Sequence, residues 1–280
     1  MIIWLASYPK SGNTWVRSII SALLYTEDGI FNFNYIKKIK QFPQKEFFQD
    51  FTNSFYDIHE IKKNWLLAQE KLNLDNKIKF LKTHNLNCTI DNYAFTNKEN
   101  TAATIYIVRD PRSLVNSISN HFSKSLDESK KFLLTSKMLS GSSEKNSLGG
   151  DVITFIGSWK EHYNFWTIKN ENLLLIRYED LVSKPYEELD KIIKFLNKYV
   201  QFQSSDEKKA NIVKSTSFNS LKKMEEQGLF HESVYKKNTN KKVNFFNEGP
   251  KNVWRKNITK EMQNEIEEEL EKEMSELKYI

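Results

Sequence analysis

The sequence predicts an α/β fold: a central parallel β-sheet flanked by helices on both faces. Three observations carry this. Short apolar runs of strand length alternate with helical spacing, as in Ile2 to Ala6 followed by Val16, Ile19, Ile20 and Leu23. The 280 residues are 39% hydrophobic and 13% aromatic, enough to cover a sheet on both sides. Four apolar runs each lead into an unusual polar segment, and ligands of parallel sheets gather at the carboxyl ends of the strands.

Ile2 to Ala6 reads as a buried strand that enters a loop at Ser7-Tyr8-Pro9. After Gly12, NTWVRSIISALLY reads as the first helix. Residues 29–76 are aromatic-rich and irregular, with a helical stretch near Glu60 to Leu72. Lys77 to Thr83 alternates and reads as the second strand. Thr104 to Val108 is the third, followed by Arg109-Asp110-Pro111. Pro111 suits the first position of a helix running through Leu114, Val115 and Ile118. Residues 123–150, rich in Ser, Lys and Gly, read as a mobile surface loop or lid. Asp151 to Lys169 reads as an aromatic helix, and Leu173 to Ile176 as the fourth strand before Arg177-Tyr178-Glu179-Asp180. Near the C-terminus Met262, Ile266, Leu270 and Met274 form one apolar stripe, with Thr259 as N-cap. No internal repeat or domain boundary interrupts this order, so residues 1–280 read as one domain.

Composition narrows the function. Lys and Arg number 42 against 36 Asp and Glu, a net charge of +6, and the pI is about 9.0. A mildly basic surface suits anionic ligands. The lysines are scattered among acids and no nucleic-acid motif is present, so nucleic acid is not the expected partner. The single cysteine, Cys88, excludes an intramolecular disulfide and a thiolate zinc cluster, and fits a reducing compartment. The start, MIIWLASYPK, lacks a basic n-region and a small-residue cleavage site. No apolar stretch approaches the roughly 20 residues a bilayer needs. The expectation is a soluble cytoplasmic protein without stable membrane insertion.

The first polar segment, Tyr8-Pro9-Lys10-Ser11-Gly12-Asn13-Thr14-Trp15, joins a buried strand to a helix. Such a loop collects backbone N–H groups and the positive end of a helix around one point, which makes an anion site. Gly12 lets the backbone approach a phosphate, Lys10 adds a full charge, and Ser11, Asn13 and Thr14 add hydrogen-bond donors. A Walker A loop has Lys directly after its last Gly, whereas Lys10 precedes Gly12. Taken alone, the same pattern is an ordinary β-α turn carrying a surface lysine. The second segment, Lys82-Thr83-His84, can project an imidazole over the sheet edge, where it can take a proton at neutral pH. In the third, Arg109 leaves a strand at a helix start, and Ser117 follows two helical turns later on the same face. Arginine forks onto phosphate, although an Arg-Asp pair can also simply cap a helix, the role expected of Asp110 and Arg112. No acidic residue ends this strand in the manner of Walker B, so magnesium is not indicated.

SYPKSGNTW resembles the 5′-phosphosulfate loop of the cytosolic-type sulfotransferases, usually YPKSGTTW. These enzymes bind 3′-phosphoadenosine 5′-phosphosulfate (PAPS) on a P-loop NTPase-like architecture and release PAP. The resemblance implies that Lys10 contacts the 5′-phosphate and bridging oxygen, Thr14 a phosphate oxygen, and that Trp15 stacks near the adenine. Asn13 stands where Thr is usual and keeps a donor. Lys82-Thr83-His84 matches the KTHLP-like segment, with Asn85-Leu86 in place of Leu-Pro. By resemblance His84 is the catalytic base and Lys82 stabilises charge on the transferring group. Arg109 and Ser117 fit the family's R(N/D)P…S spacing for the 3′-phosphate. Gly157-Ser158-Trp159 with His162 and Trp166 resembles GSWxxHxxxW, a stretch also explained by core packing. Tyr178-Glu179-Asp180 resembles the YED segment, with Tyr178 reaching the adenine. Ser215-Thr216-Ser217-Phe218 resembles the TSF segment, with Thr216 and Phe218 on the adenine.

One segment departs from the family. RKGxxGDWK aligns with Asn247-Glu248-Gly249-Pro250-Lys251-Asn252-Val253-Trp254-Arg255. Gly249 and Trp254 survive, but the Arg-Lys pair is replaced, and Glu248 would repel a phosphate; Lys251 or Lys242 could compensate. The activity implied is in-line transfer of a sulfuryl group to an acceptor hydroxyl or, as second choice, an amine. The acceptor is left open among lipids, steroid-like compounds, phenols and sugars. A P-loop kinase using ATP and a nucleotide-binding pseudoenzyme are the alternatives.

Overall fold

The computed structural model describes residues 1–139, 152–230, 232, 234–235, 242–251 and 253–280. In chain order its main elements are β1 (Ile2–Ser7), α1 (Asn13–Tyr25), β2 (Lys40–Gln41), α2 (Trp65–Asn73), β3 (Lys79–Thr83), β4 (Thr101–Val108), α3 (Pro111–Phe122), α4 (Leu126–Leu134), α5 (Trp159–Thr167), β5 (Leu173–Arg177), α6 (Tyr178–Ser183), α7 (Pro185–Leu196), α8 (Asp206–Ser215), α9 (Phe218–Glu226), α10 (Lys260–Glu269) and α11 (Glu271–Glu276).

Five strands form one sheet in the order β2-β3-β1-β4-β5, every pairing parallel. Trp4 sits beside Leu81 on one side and Thr104 on the other, and Val108 beside Arg177. Parallel pairing therefore brings Ser7, Thr83, Val108 and Arg177 to one edge. All six residues of β1 are buried, which requires cover on both faces. The side chains alternate between two cores. Trp4, Ala6, Tyr106 and Val108 pack with α3, α4, α5, α10 and α11; Ile3, Leu5, Ile105 and Ile107 pack with α1, α7 and α8. Each such fully buried large side chain contributes roughly 1.5–3 kcal/mol, which holds the strand ends still. The predicted parallel sheet with helices on both faces is therefore observed.

Local signals explain the helix starts. Asp110 caps α3 by accepting from the Arg112 backbone N–H, with Pro111 at the first position. Thr259 caps α10, and Met262, Ile266, Leu270 and Met274 are all buried as the stripe predicts, although Leu270 divides the segment into α10 and α11.

Two expectations need correction, and one strand is additional. Residues 123–150 are not simply a loop: 126–134 form α4, opened by a reciprocal capping box between Ser125 and Glu128. The part of that expectation covering residues 140–150 lies outside the described residues. The aromatic helix begins at Trp159, because Ser158 caps it in a second capping box with Glu161; Thr154–Phe155 is a short strand instead. The edge strand β2 was not predicted.

Among the described residues, no helix is long and apolar enough to cross a membrane.

Candidate active site at the carboxyl edge of the sheet

The loop from β1 to α1 crosses the carboxyl edge. Tyr8 is buried and donates its hydroxyl to the Phe132 carbonyl, fixing the loop's entry. Gly12 has φ 104°, and a Cβ there would meet the Tyr178 ring at 2.7 Å. Both backbone shape and close approach therefore require glycine. The start of α1 has no side-chain cap and no acidic residue in its first turn. Its uncapped end faces the site as a partial positive charge.

Three cations converge on this end. Lys82 and Arg109 are buried, and Lys10 is half-buried. Burial, then the charges of Arg109 and Lys82, lower the Lys10 ammonium to about 7. Burial lowers Lys82 to about 8, with Glu232 opposing and Arg17 assisting. Lys10 Nζ lies 3.7 Å from the Phe245 ring centroid and 3.3 Å from His121 Nδ1. Burial first and Lys10 second hold the His121 imidazole down at about 2, so it is neutral. An anion placed among these groups restores the lysines' charge.

His84 is held from two sides. Its Nδ1 lies 2.7 Å from the Ser7 carbonyl oxygen. A carbonyl only accepts, so Nδ1 carries the hydrogen and donates, leaving Nε2 with a lone pair. No described residue bonds Nε2, and His84 lines the cavity. Burial, then the charge on Lys82, holds the imidazole well below its ordinary range, so it stays neutral at pH 7. The His84 carbonyl lies 3.2 Å from His162 Nε2, and His162 Nδ1 lies 2.9 Å from the Tyr106 hydroxyl. Thr83 shapes the turn, accepting from the Asn85 N–H.

Arg109 forms the far wall. It donates to Ser117 Oγ at 3.2 Å and to the Gly249 carbonyl at 3.4 Å, and lies 4.2 Å from the Tyr178 ring centroid. Among the described residues no carboxylate pairs with it, and its Nε is buried without a hydrogen-bond partner. Trp15 meets Tyr178 edge-on at 5.6 Å. Gly249 has φ 53°, and any Cβ there would collide with the Phe218 ring at 2.1 Å.

Lys10, Gly12, Asn13, Thr14, Trp15, Lys82, His84, Arg109, Ser117, Tyr178, Phe218 and Gly249 line one cavity. Two expected residues stand apart. Ser11 is buried beneath the loop, with an unpartnered hydroxyl, and does not line the cavity. Thr216 turns its hydroxyl back to the Ile212 carbonyl. Asn13 lines the cavity, but its amide hydrogens go to the Leu5 carbonyl and Ser7 Oγ rather than outward. Asp110 and Arg112 pair with each other at 2.7 Å, as expected, and Glu179 accepts from the Asp110 N–H and the Tyr279 hydroxyl. Glu248 does line the cavity, and Asn116 donates to its carboxylate at 2.9 Å. Lys251 is not part of the lining, and the Lys242 side chain lies outside what is described.

Several lining residues escaped the sequence reading. Asn120 lies one turn beyond Ser117 on α3, a spacing that pointed to it. Glu232, Phe245 and Phe246 lie outside every segment that resembles the family, and no local pattern marks them.

The family model for the sulfotransferase domain matches residues 2–278. The chain belongs to the sulfotransferase domain family. Among individual proteins it is similar to Sulfotransferase 1B1 of Canis lupus familiaris, 27% identical over 79% of this chain and 66% of that protein. It is also similar to Sulfotransferase 1B1 of Mus musculus, 28% identical over 79% of this chain and 65% of that protein. The chain thus spans just under two thirds of these relatives' length. In fold it is similar to mouse sulfotransferase SULT7A1 complexed with PAP, with a TM-score of 0.57, 21% identity, and 97% of this chain and 84% of that chain covered. It is similar too to retinol dehydratase in a complex with retinol and PAP, with a TM-score of 0.62, 17% identity, and 98% and 81% covered. The sulfotransferase fold thus accounts for nearly the whole chain.

Proposed function

We propose that this sulfotransferase-family protein moves a sulfuryl group from PAPS to the hydroxyl of a small acceptor, with an amine as second choice. The observation that carries this is the meeting of Lys10, Lys82, His84 and Arg109 on one cavity, with no carboxylate paired to Arg109 among the described residues. Such a cavity accepts a ligand with anions at both ends. The fit is supported by the unpartnered buried Arg109 Nε and by Gly12, whose missing Cβ leaves the Tyr178 ring close to the loop. PAPS would supply an activated sulfuryl group on a bisphosphate leaving group.

The chain's own residues then have distinct tasks. Arg109 and Ser117 hold the 3′-phosphate by charge-assisted bonds. The first-turn amides of α1, Lys10 and Thr14 hold the 5′ end, and Lys10 neutralises charge as it develops there. Trp15, Tyr178 and Phe218 enclose the adenine. His84 Nε2 takes the acceptor proton, and Lys82 beside it stabilises the equatorial oxygens. The cations would take the electrostatic part that a metal plays in phosphoryl-transfer enzymes. A relative with 27% identity is the 3-alpha-hydroxysteroid sulfotransferase of Cavia porcellus, and retinol dehydratase is known with retinol and with androsterone. These support a compact apolar alcohol or phenol as acceptor.

The test is transfer of labelled sulfate from PAPS to a panel of sterols, retinoids, phenols and sugars in EDTA. Labelled sulfate ester and one equivalent of PAP per turnover are expected. No transfer to any acceptor, with equal thermal stabilisation by ATP and PAP, would overturn the proposal in favour of a kinase-like nucleotide site.

A further inference from the structure

We infer that Asn13 is a positioning residue for His84, acting through Ser7, and not a phosphate ligand. The inference rests on the proposed role of His84. Asn13 Nδ2 donates to the Leu5 carbonyl at 2.9 Å and to Ser7 Oγ at 3.1 Å. The Leu5 carbonyl can only accept, so the amide orientation is fixed and both hydrogens are committed. Ser7 in turn presents two oxygens to one imidazole nitrogen: its carbonyl at 2.7 Å and its Oγ at 3.3 Å from His84 Nδ1. With Nδ1–H shared between them, the ring cannot rotate or change tautomer without losing both contacts.

The connection is short and buried throughout. Asn13, Ser7 and His84 are each at most 5% exposed. It ties the first residue of α1 to the last residue of β1, and that residue to the imidazole following β3. The helix that would bind the donor's phosphate thereby sets the direction of Nε2. The remaining atom, Asn13 Oδ1, is buried without a partner. An amide oxygen facing an anionic phosphosulfate would repel it, which also argues against a ligand role.

Asn13→Ala and Ser7→Ala are compared with wild type by donor-saturated turnover, PAP affinity by calorimetry, and ¹⁵N NMR of the His84 ring. Near-isosteric Asn13→Asp serves where Ala disturbs folding. The NMR spectrum of wild type is expected to show the Nδ1–H tautomer. In Asn13→Ala the Nδ1–H resonance is expected to shift and broaden as Ser7 Oγ loses its anchor, with turnover down about five- to tenfold and PAP affinity within about twofold. Asn13→Asp brings a carboxylate against Ser7 Oγ and is expected to move the acid limb of the pH–rate profile upward. A tenfold loss of PAP affinity with unchanged tautomer and unchanged saturated turnover would overturn the inference and make Asn13 a phosphate ligand. Near-full turnover in His84→Ala would instead remove the base assignment. The His84 ring spectrum together with the split between turnover and PAP affinity decides the role of Asn13 either way.

Discussion

Arg109 and Arg112 lie three residues apart, one before α3 and one in its first turn, yet they serve opposite ends. Arg112 is saturated. It bonds Asp110 at 2.7 Å, Glu267 at 2.5 Å and the Tyr279 carbonyl at 2.9 Å, and lies 4.2 Å from the Trp254 ring centroid. The two carboxylates outweigh burial and raise its basicity further. Arg109, equally buried, meets a hydroxyl, two carbonyls and an aromatic face, and no carboxylate among the described residues. A buried charge without a counter-ion is costly, so it persists where a ligand supplies one. The Arg112 region locks the C-terminal helices to α3; the Arg109 region leaves a buried charge that the proposed bisphosphate would neutralise.

That contrast can be broken from either side. The largest effect is expected from His84→Ala on the cavity side: turnover falls about 10²- to 10⁴-fold while PAP still binds by calorimetry. Retained activity would show that another group takes the proton. Next, Arg112→Ala removes one partner of a buried network and is expected to lower unfolding free energy by about 3–5 kcal/mol in urea, with PAP affinity unchanged for the folded fraction. Arg109→Gln is expected to do the reverse: PAP affinity drops about 10- to 100-fold and the melting temperature moves little. If both arginines behave alike, the division between lock and ligand site fails.

A smaller effect concerns protons. Lys10 is lowered to about 7 and Lys82 to about 8. Their folded-state values lie below the unfolded ones, so above about pH 7 Lys10 is largely neutral in the ligand-free protein. A bound bisphosphate raises both again, and the complex must take up roughly one proton between pH 7 and 9. Calorimetry in buffers of different ionisation enthalpy reads this directly, and release instead of uptake would contradict it. The smallest expected effect is at Glu248. Glu248→Gln keeps an acceptor for Asn116 and removes the negative charge, so PAP should bind about two- to fivefold more tightly.

The parts of this architecture legible in the sequence share a cause. β1, β3, β4 and β5 each bury apolar side chains, so their pattern survives in the residues alone, and the polar segment after each marks the carboxyl edge. Lys40–Gln41 has no such pattern; it joins the sheet through backbone bonds to β3, which any side chains permit. Helix α4 hid in a Ser/Lys-rich stretch, although Ser125 and Glu128 carried a capping signal. The cavity was legible where adjacent residues built it, from Lys10 to Trp15 and at Arg109 and Ser117. It was illegible where tertiary folding brings in Glu232, Phe245 and Phe246. Hydrogen-bond direction was also hidden: the residue type at Asn13 offers donors, and only the fold shows them turned to Leu5 and Ser7.

The central claim is a cradle of protein cations for an adenosine bearing phosphate at both ends. Calorimetric titration of the whole chain with PAP and with adenosine 5′-phosphate, in EDTA, tests it most directly. PAP is expected to bind at least about tenfold more tightly, because in the proposed pose only its 3′-phosphate would reach Arg109 and Ser117. Equal affinity for the two, or PAP binding that appears only when magnesium is added, would contradict it.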